Sequence, residues 1–384
     1  MNKTLLKNGL VFTGEGKIRP LDIIIEGSQI LKVGENLSLN DGNIINLEGS
    51  FVLPGLIDAH CHIGIFETGV GPMGVDGNED SVPATPELRG IDGVNPFDEE
   101  FEHCQKHGVT LVATGPGSSN PIGGTFVALK TWGKTFDDMV VKDPLAMKIA
   151  FGENPKSSFG VKGKSPITRM STASIIRKYL SKAKDYIKNE DAEYDEGLEN
   201  LAKVIRKEIP LKAHCHRADD ILCALRIAKE FDVDITLDHC SEGHLIPDQL
   251  SYAKGVIIGP LLGFPQKVEC VNQTPAAGKI LFEHHVKFAI MSDLPATHCF
   301  DITRAAGECV REGLPMEEAL AAITSNAAEI LGFGDSRGKI KPGYKADLGI
   351  WSANPVESLS AKCLLTIIEG ETIYRNKDLF SIPS

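Results

Sequence analysis

The chain has 384 residues, a net charge of −12, and 42% hydrophobic against 24% charged residues. That length and balance suit a globular protein with a large core, either two domains or one barrel with additions. The acidic balance argues against nucleic acid as a partner. No apolar stretch is long enough to span a membrane, and nine irregularly spaced cysteines point to reduced thiols in a cytoplasmic protein.

The first elements in chain order are short strands over 5–12, 22–26, 30–33 and 43–47, punctuated by Gly, Asn and Asp. The first of these breaks its apolar run with Lys7, Asn8 and Gly9, which makes it a poor signal peptide. Next comes Leu53-Pro54-Gly55-Leu56-Ile57-Asp58-Ala59-His60-Cys61-His62. Residues i and i+2 of a strand face one side, so His60 and His62 converge at the end of an apolar run. Imidazole suits zinc and related transition metals.

From there strands alternate with helices, the pattern of a sheet with crossover helices. Eight strands are expected, over 52–60, 109–114, 125–131, 147–152, 211–214, 235–239, 256–259 and 287–292. Helices are expected over 96–107, 219–231 and 316–331, with two more inside 171–208. Eight strands close a (β/α)8 TIM barrel, whose strand C-termini ring one site. Four further runs end in ligand-type residues: Glu153, His214, His239 and Asp293. One ligand per strand terminus suits a barrel site, whereas a zinc finger clusters its ligands within a few dozen residues.

Between these elements lie two unusual loops. Residues 63–95 form a long loop rich in Gly, Pro and acids, placed to cover a substrate. The glycine-rich stretch 115–124 lacks the Gly-Lys-Ser/Thr ending of a phosphate loop, and its backbone amides suit a substrate carboxylate or a tight turn equally. Asn120 lies in it, and Lys130 and Arg217 offer positive charge to an anionic substrate. Alternation turns Cys61, Cys215 and Cys240 away from the metal, as packing residues. Strand-like segments return at the C-terminus. Residues 1–50 plus 342–384 are therefore read as a composite β-sandwich, and 51–341 as the catalytic barrel.

The phrases FVLPGLIDAHCH, KAHCHRADDI, TLDHCSEGH and MSDLP, with the tail AAITSNAAEILGFGDSRGKIKPGYKADLGIW, resemble the amidohydrolase superfamily. The resemblance covers nearly the whole chain and is nearest to the imidazolonepropionase-related and prolidase-like branch. It implies metal ligation by His60, His62, His214, His239 and Asp293, with Asp293 also the proton acceptor. Many members bridge two metals with a carboxylated lysine at the end of the fourth strand; Glu153 looks like that position here. One or two divalent ions, with zinc first, are both compatible with this set. His214 follows its apolar run most directly and is taken as the ligand, with His216 contacting substrate or supporting the ligands.

The implied reaction is hydrolysis of a carbon–nitrogen bond other than a peptide bond, in a cyclic amide or imide or a dipeptide-like amide. Water is activated by the metal, Asp293 takes its proton, and the metal or His239 polarises the carbonyl. Deamination, lactone hydrolysis or another hydrolysis on the same scaffold is the alternative, as is a non-catalytic assembly protein. A small-molecule substrate is expected, and homo-oligomerisation is left open.

Overall fold

The computed structural model describes residues 3–265 and 267–377. The two ends of the chain build one sheet. Its strands are β1 (Lys3–Val11), β2 (Arg19–Glu26), β3 (Gln29–Gly34), β4 (Asn43–Asn46) and β5 (Phe51–Pro54). They are joined by three late strands, Leu348–Trp351, Cys363–Ile368 and Glu371–Arg375. β5 lies parallel to β1 and antiparallel to Leu348–Trp351, so it ties the N-terminal strands to the C-terminal ones. Where a sandwich is expected, the strands are hydrogen-bonded as one sheet. It has its own apolar core, which includes Val11, Ile23, Ile45, Val52, Leu348 and Leu365.

The chain leaves this sheet at Gly55. A Cβ there would lie 2.1 Å from Thr110 Oγ1, so only glycine passes. The run expected as one strand over 52–60 is therefore two strands in two sheets. The second is β6 (Leu56–Cys61), the first strand of the barrel.

The barrel continues with β7 (Val109–Thr114), β8 (Ile122–Lys130), β9 (Val140–Ala150) and β10 (Leu211–Cys215). It ends with β11 (Ile235–His239), β12 (Gly255–Ile258) and β13 (Phe288–Ile290). All eight lie in chain order around the sheet. β8 runs antiparallel to both β7 and β9, whereas the other neighbours are parallel. The reason is length. Only residues 115–121 separate β7 from β8, and a parallel crossover needs a dozen residues or more. As a result the start of β8, rather than its end, lies beside the ends of β7 and β9.

Most expected helices form where capping and periodicity place them. Asp98 caps Glu99–Lys106, and Ala218–Phe231 ends at Asp232 in the left-handed region. The stretch 171–208 holds Arg169–Lys188 and Glu196–Ile205, capped by Thr168 and Asp195. The helix expected over 316–331 is broken into Met316–Ala322 and Ser325–Ile330. At the break the Thr324 hydroxyl donates to the Leu320 carbonyl, and the Ile323 carbonyl accepts from Ile57 N of β6.

The outer faces of the strands pack against helices, with Val112, Ile149, Leu211 and Leu237 meeting Ile176 and Leu225 in one core. Each such Leu or Ile side chain contributes about 1.5–3 kcal/mol by leaving water. The barrel interior holds Ala59, Phe126, Ile257 and Ala289 and packs against Ala327 and Ile330. The sheet's two edge strands, β6 and β13, are joined by bonds beyond their ends. Asp293 N donates to His60 O, and His62 N donates to Leu294 O, both at 3.1 Å. Among the described residues no helix is long and apolar enough to cross a membrane.

Candidate metal centre

Five histidines stand at the ends of β6, β10 and β11, and four of them are tied through Nδ1. His60 Nδ1 is 2.9 Å from Asp238 Oδ2, and His216 Nδ1 is 2.8 Å from Ser241 Oγ. His62 Nδ1 meets Gly115 O at 2.7 Å, and His239 Nδ1 meets Gly259 O at 3.0 Å. A carbonyl or carboxylate only accepts, so the rings of His60, His62 and His239 carry their proton on Nδ1. Burial, followed by neighbouring cationic groups, holds His60 and His239 well below the usual histidine range. Their Nε2 atoms carry the lone pairs that could ligate, although that of His60 also lies 3.3 Å from Lys148 Nζ.

Asp293 faces these nitrogens from the loop after β13. Its Oδ1 lies 3.5 Å from His62 Nε2, 3.6 Å from His60 Nε2 and 4.0 Å from His239 Nε2. Asp293 and His239 both hold φ in the left-handed region, at 53° and 68°. Such backbone strain concentrates at functional sites. His214, His216 and His239 form a second cluster, so the structure brings both histidines of the His-Cys-His phrase to the site. Each cluster of three holds its ligand atoms within 4.8 Å of one another. Zinc binds at about 2.0–2.1 Å from nitrogen, so two ligands of one ion stand roughly 3–4 Å apart. The donor set, neutral imidazoles plus a carboxylate, fits a divalent transition metal.

Beneath the histidines lies a buried polar layer. Asp238 Oδ1 accepts from Lys212 Nζ at 3.2 Å while its Oδ2 holds His60. Asp58 accepts from the Ser292 hydroxyl and from His60 N, and burial raises its carboxyl to about 7. Lys148 and Lys212 both rest over the Phe126 ring, at 5.2 and 5.4 Å from its centroid. Supporting groups of this kind orient ligands and set their protonation.

The fourth-strand position needs correcting. Lys148 of β9 is fully buried, and its Nζ lies 3.3 Å from His60 Nε2. Burial lowers its ammonium to about 8, against the pull of Asp238 and Asp293. Glu153 instead opens the helix Glu153–Gly160, beyond the strand, and its backbone N–H donates to Glu269 Oε2 at 2.9 Å. A lysine stem is long enough to reach the site from inside the strand, which a search of strand termini alone misses. The sequence signal was a lysine within the apolar run Ala146-Met147-Lys148-Ile149-Ala150. Asp58, Lys212 and Asp238 interrupt apolar runs in the same way.

Three residues expected to bind substrate have other partners in the structure. Asn120 is buried and donates to the carbonyls of Glu79 and Val82, tying the two long loops together. Lys130 pairs with Glu369 of the terminal sheet at 3.1 Å, because antiparallel β8 carries its last residue away from the site. Arg217 pairs with the exposed Asp219 beside it. The cavity over the histidines is lined instead by the loop after β12, including Leu262, Phe264, Lys267, Cys270 and Gln273. Cys61, Cys215 and Cys240 are buried in the core shared with the helices, as alternation requires.

A model of the amidohydrolase family, Amidohydro_3, matches residues 282–374. The chain superposes on the crystal structure of an amidohydrolase from Thermotoga maritima MSB8 with a TM-score of 0.94 and 39% identity, covering 97% of this chain and all of that one. It is 29% identical to amidohydrolase tasK of Hapsidospora irregularis, over 99% of this chain and 44% of that protein. It is also 44% identical over 85 residues to an imidazolonepropionase of Vibrio vulnificus strain CMCP6, a match to 21% of each chain. The chain therefore spans less than half the length of tasK and matches only a segment of the imidazolonepropionase. A barrel with a terminal sheet and a histidine-lined mouth defines a class, and the matches identify it: this chain belongs to the amidohydrolase family.

Proposed function

We propose that the protein is a metal-dependent amidohydrolase. It cleaves a carbon–nitrogen bond, other than a peptide bond, in a small cyclic amide or imide or a dipeptide-like amide. The observation that carries this reading is the convergence of His60, His62, His239 and Asp293 at the mouth of the barrel. Three of their nitrogens lie within 4.0 Å of one carboxylate oxygen, Asp293 Oδ1. A scaffold without chemistry has no use for buried imidazoles whose lone pairs face one another.

His60, His62 and Asp293 would hold one ion, and His214, His216 and His239 a second. Lys148, buried 3.3 Å from His60 Nε2, would take the part of the carboxylated lysine found in many family members. A bound divalent cation supplies Lewis acidity, polarising a carbonyl and acidifying water. Asp293 does the proton work: its side chain is 22% exposed where that of His60 is fully buried, so it meets both solvent and substrate. It takes a proton from water and returns it to the leaving nitrogen. Asp238 and Gly259 O keep His60 and His239 in the tautomer that leaves Nε2 free.

The test is metal content per chain by elemental mass spectrometry on protein purified without chelators, followed by amide turnover. Near-stoichiometric zinc or another transition metal is expected, with two ions if Lys148 is carboxylated, since a bare ammonium cannot ligate a cation. Protein that takes up no metal even after reconstitution overturns the reading.

A further inference from the structure

Glu269 lies in the loop after β12, and its side chain is only 2% exposed. Its Oε2 accepts from Glu153 N at 2.9 Å. Its Oε1 is buried and has no hydrogen-bond partner. The turn at Gly152 is built around this carboxylate: with φ at 79°, a Cβ there would lie 2.5 Å from Glu269 Oε2. Buried carboxylate oxygens are rarely left unbonded, so Oε1 requires a donor.

The polar atoms facing Oε1 are Lys267 Nζ at 3.6 Å, His216 Nε2 at 3.8 Å and His214 Nε2 at 4.0 Å. Lys267 is 29% exposed and supplies charge from the solvent side. His216 is engaged through Nδ1 by Ser241 and stands 3.4 Å from Cys270 Sγ there. His214 is different. No hydrogen bond engages its Nδ1 among the described residues, whereas its Nε2 faces Glu269 and the Asn154 amide at 3.5 Å. The amide's oxygen and nitrogen exchange places on a flip, and the Ser118 hydroxyl bonded to it can donate or accept. A flipped Asn154 thus presents a second acceptor to the same nitrogen.

We propose that Glu269 is a positioning residue for His214. Its Oε1 accepts the His214 Nε2–H and so fixes the tautomer that leaves the Nδ1 lone pair free for the metal cluster. The 4.0 Å separation is longer than a hydrogen bond, and the broad terminal torsion of glutamate allows it to close. His214 then binds in the opposite sense to His60, His62 and His239, which ligate through Nε2. The inference rests on the metal-dependent reading above.

Two measurements test it on the full chain. The first is zinc affinity, by competition with a chromophoric chelator, for wild type, Glu269→Gln and Glu269→Ala. Loss of a group supporting a ligand histidine lowers metal affinity about 10–100-fold, so Glu269→Ala is expected in that range. Glu269→Gln keeps the shape and a weaker acceptor, so it is expected to lose less. Unchanged affinity in both variants overturns the proposal while leaving the metal reading intact. A wild type that binds no zinc defeats the metal reading itself. The second measurement is a long-range proton–nitrogen spectrum of histidine-labelled protein. It should show His214 protonated on Nε2 in wild type, with that preference weakened in Glu269→Gln. His214 protonated on Nδ1 in wild type overturns the proposal whether or not metal is bound. Melting curves that match wild type guard against reading a folding defect as a lost ligand.

Discussion

Two groups of buried charges lie at opposite ends of this barrel, and they differ in how completely they are satisfied. Where the terminal sheet meets the barrel, Arg337 pairs with Asp347 and Glu369. Glu369 also takes Lys130 at 3.1 Å and Lys345 at 3.3 Å, and its own N–H bonds Asp347 Oδ1 at 2.7 Å. The charges there close on one another. At the mouth, the polar layer below is also paired, but His60, His62, His239 and Asp293 turn their remaining lone pairs into a common space. Buried charge therefore does not mark function by itself; several acceptors that converge with a single donor, Lys148 Nζ, among them do. The first group holds two sheets together, and the second is the one proposed to hold a metal.

If that distinction is right, mutations in the two groups should separate activity from stability. The largest expected effect is Asp293→Asn, which should keep the melting temperature near wild type and cut kcat by about 10²–10⁴, the usual worth of a general acid–base. Steady-state kinetics and metal content on the same preparation would show it. Full activity would remove Asp293 from the proton transfer. Next comes Arg337→Met, which leaves Asp347 buried without its partner. Breaking a buried ion pair on one side costs about 3–5 kcal/mol, so denaturant melts should shift by that amount while kcat of the folded fraction holds. A kcat loss as large as that of Asp293→Asn would erase the contrast.

Much of this architecture was legible from the sequence, because periodicity and strand-terminal ligands are local signals. The eight barrel strands fall where apolar runs of four to nine residues place them, and His60, His62, His214, His239 and Asp293 each follow such a run. What was not legible depends on geometry across strands. Lys148 reaches the site from within β9, which no terminus marks. The direction of β8 follows from a seven-residue link whose consequence for Lys130 appears only once the register is known. Glu269 belongs to a loop with no periodicity, and its role is set by His214 on a different strand. Its sequence neighbours carry no trace of that contact.

The acid limb of stability offers a smaller and more selective test of the satisfied group. Burial alone would raise the Glu369 carboxyl, but the Lys130 hydrogen bond and the Arg337 charge outweigh it and hold the group at about 2, below its ordinary 4.5. A carboxylate held low in the folded state stabilises it above the unfolded pKa. That contribution is lost as pH falls from about 4.5 toward 2. Glu369→Gln should therefore flatten the pH dependence of the melting temperature across this window, read by circular dichroism. An unchanged slope would show that Glu369 titrates alike folded and unfolded.

The smallest expected effect is also the sharpest for placing Lys130. Its ammonium is partly exposed and forms one of several pairs with Glu369. Lys130→Ala should cost less than Arg337→Met, because Arg337 and Lys345 still pair with Glu369. Because β8 carries Lys130 to the end of the barrel away from the histidines, KM for any amide substrate should stay unchanged. A KM increase with unaltered melting would mean that this end of the barrel takes part in substrate binding, and the division between a satisfied structural group and an open chemical one would then have to be drawn elsewhere.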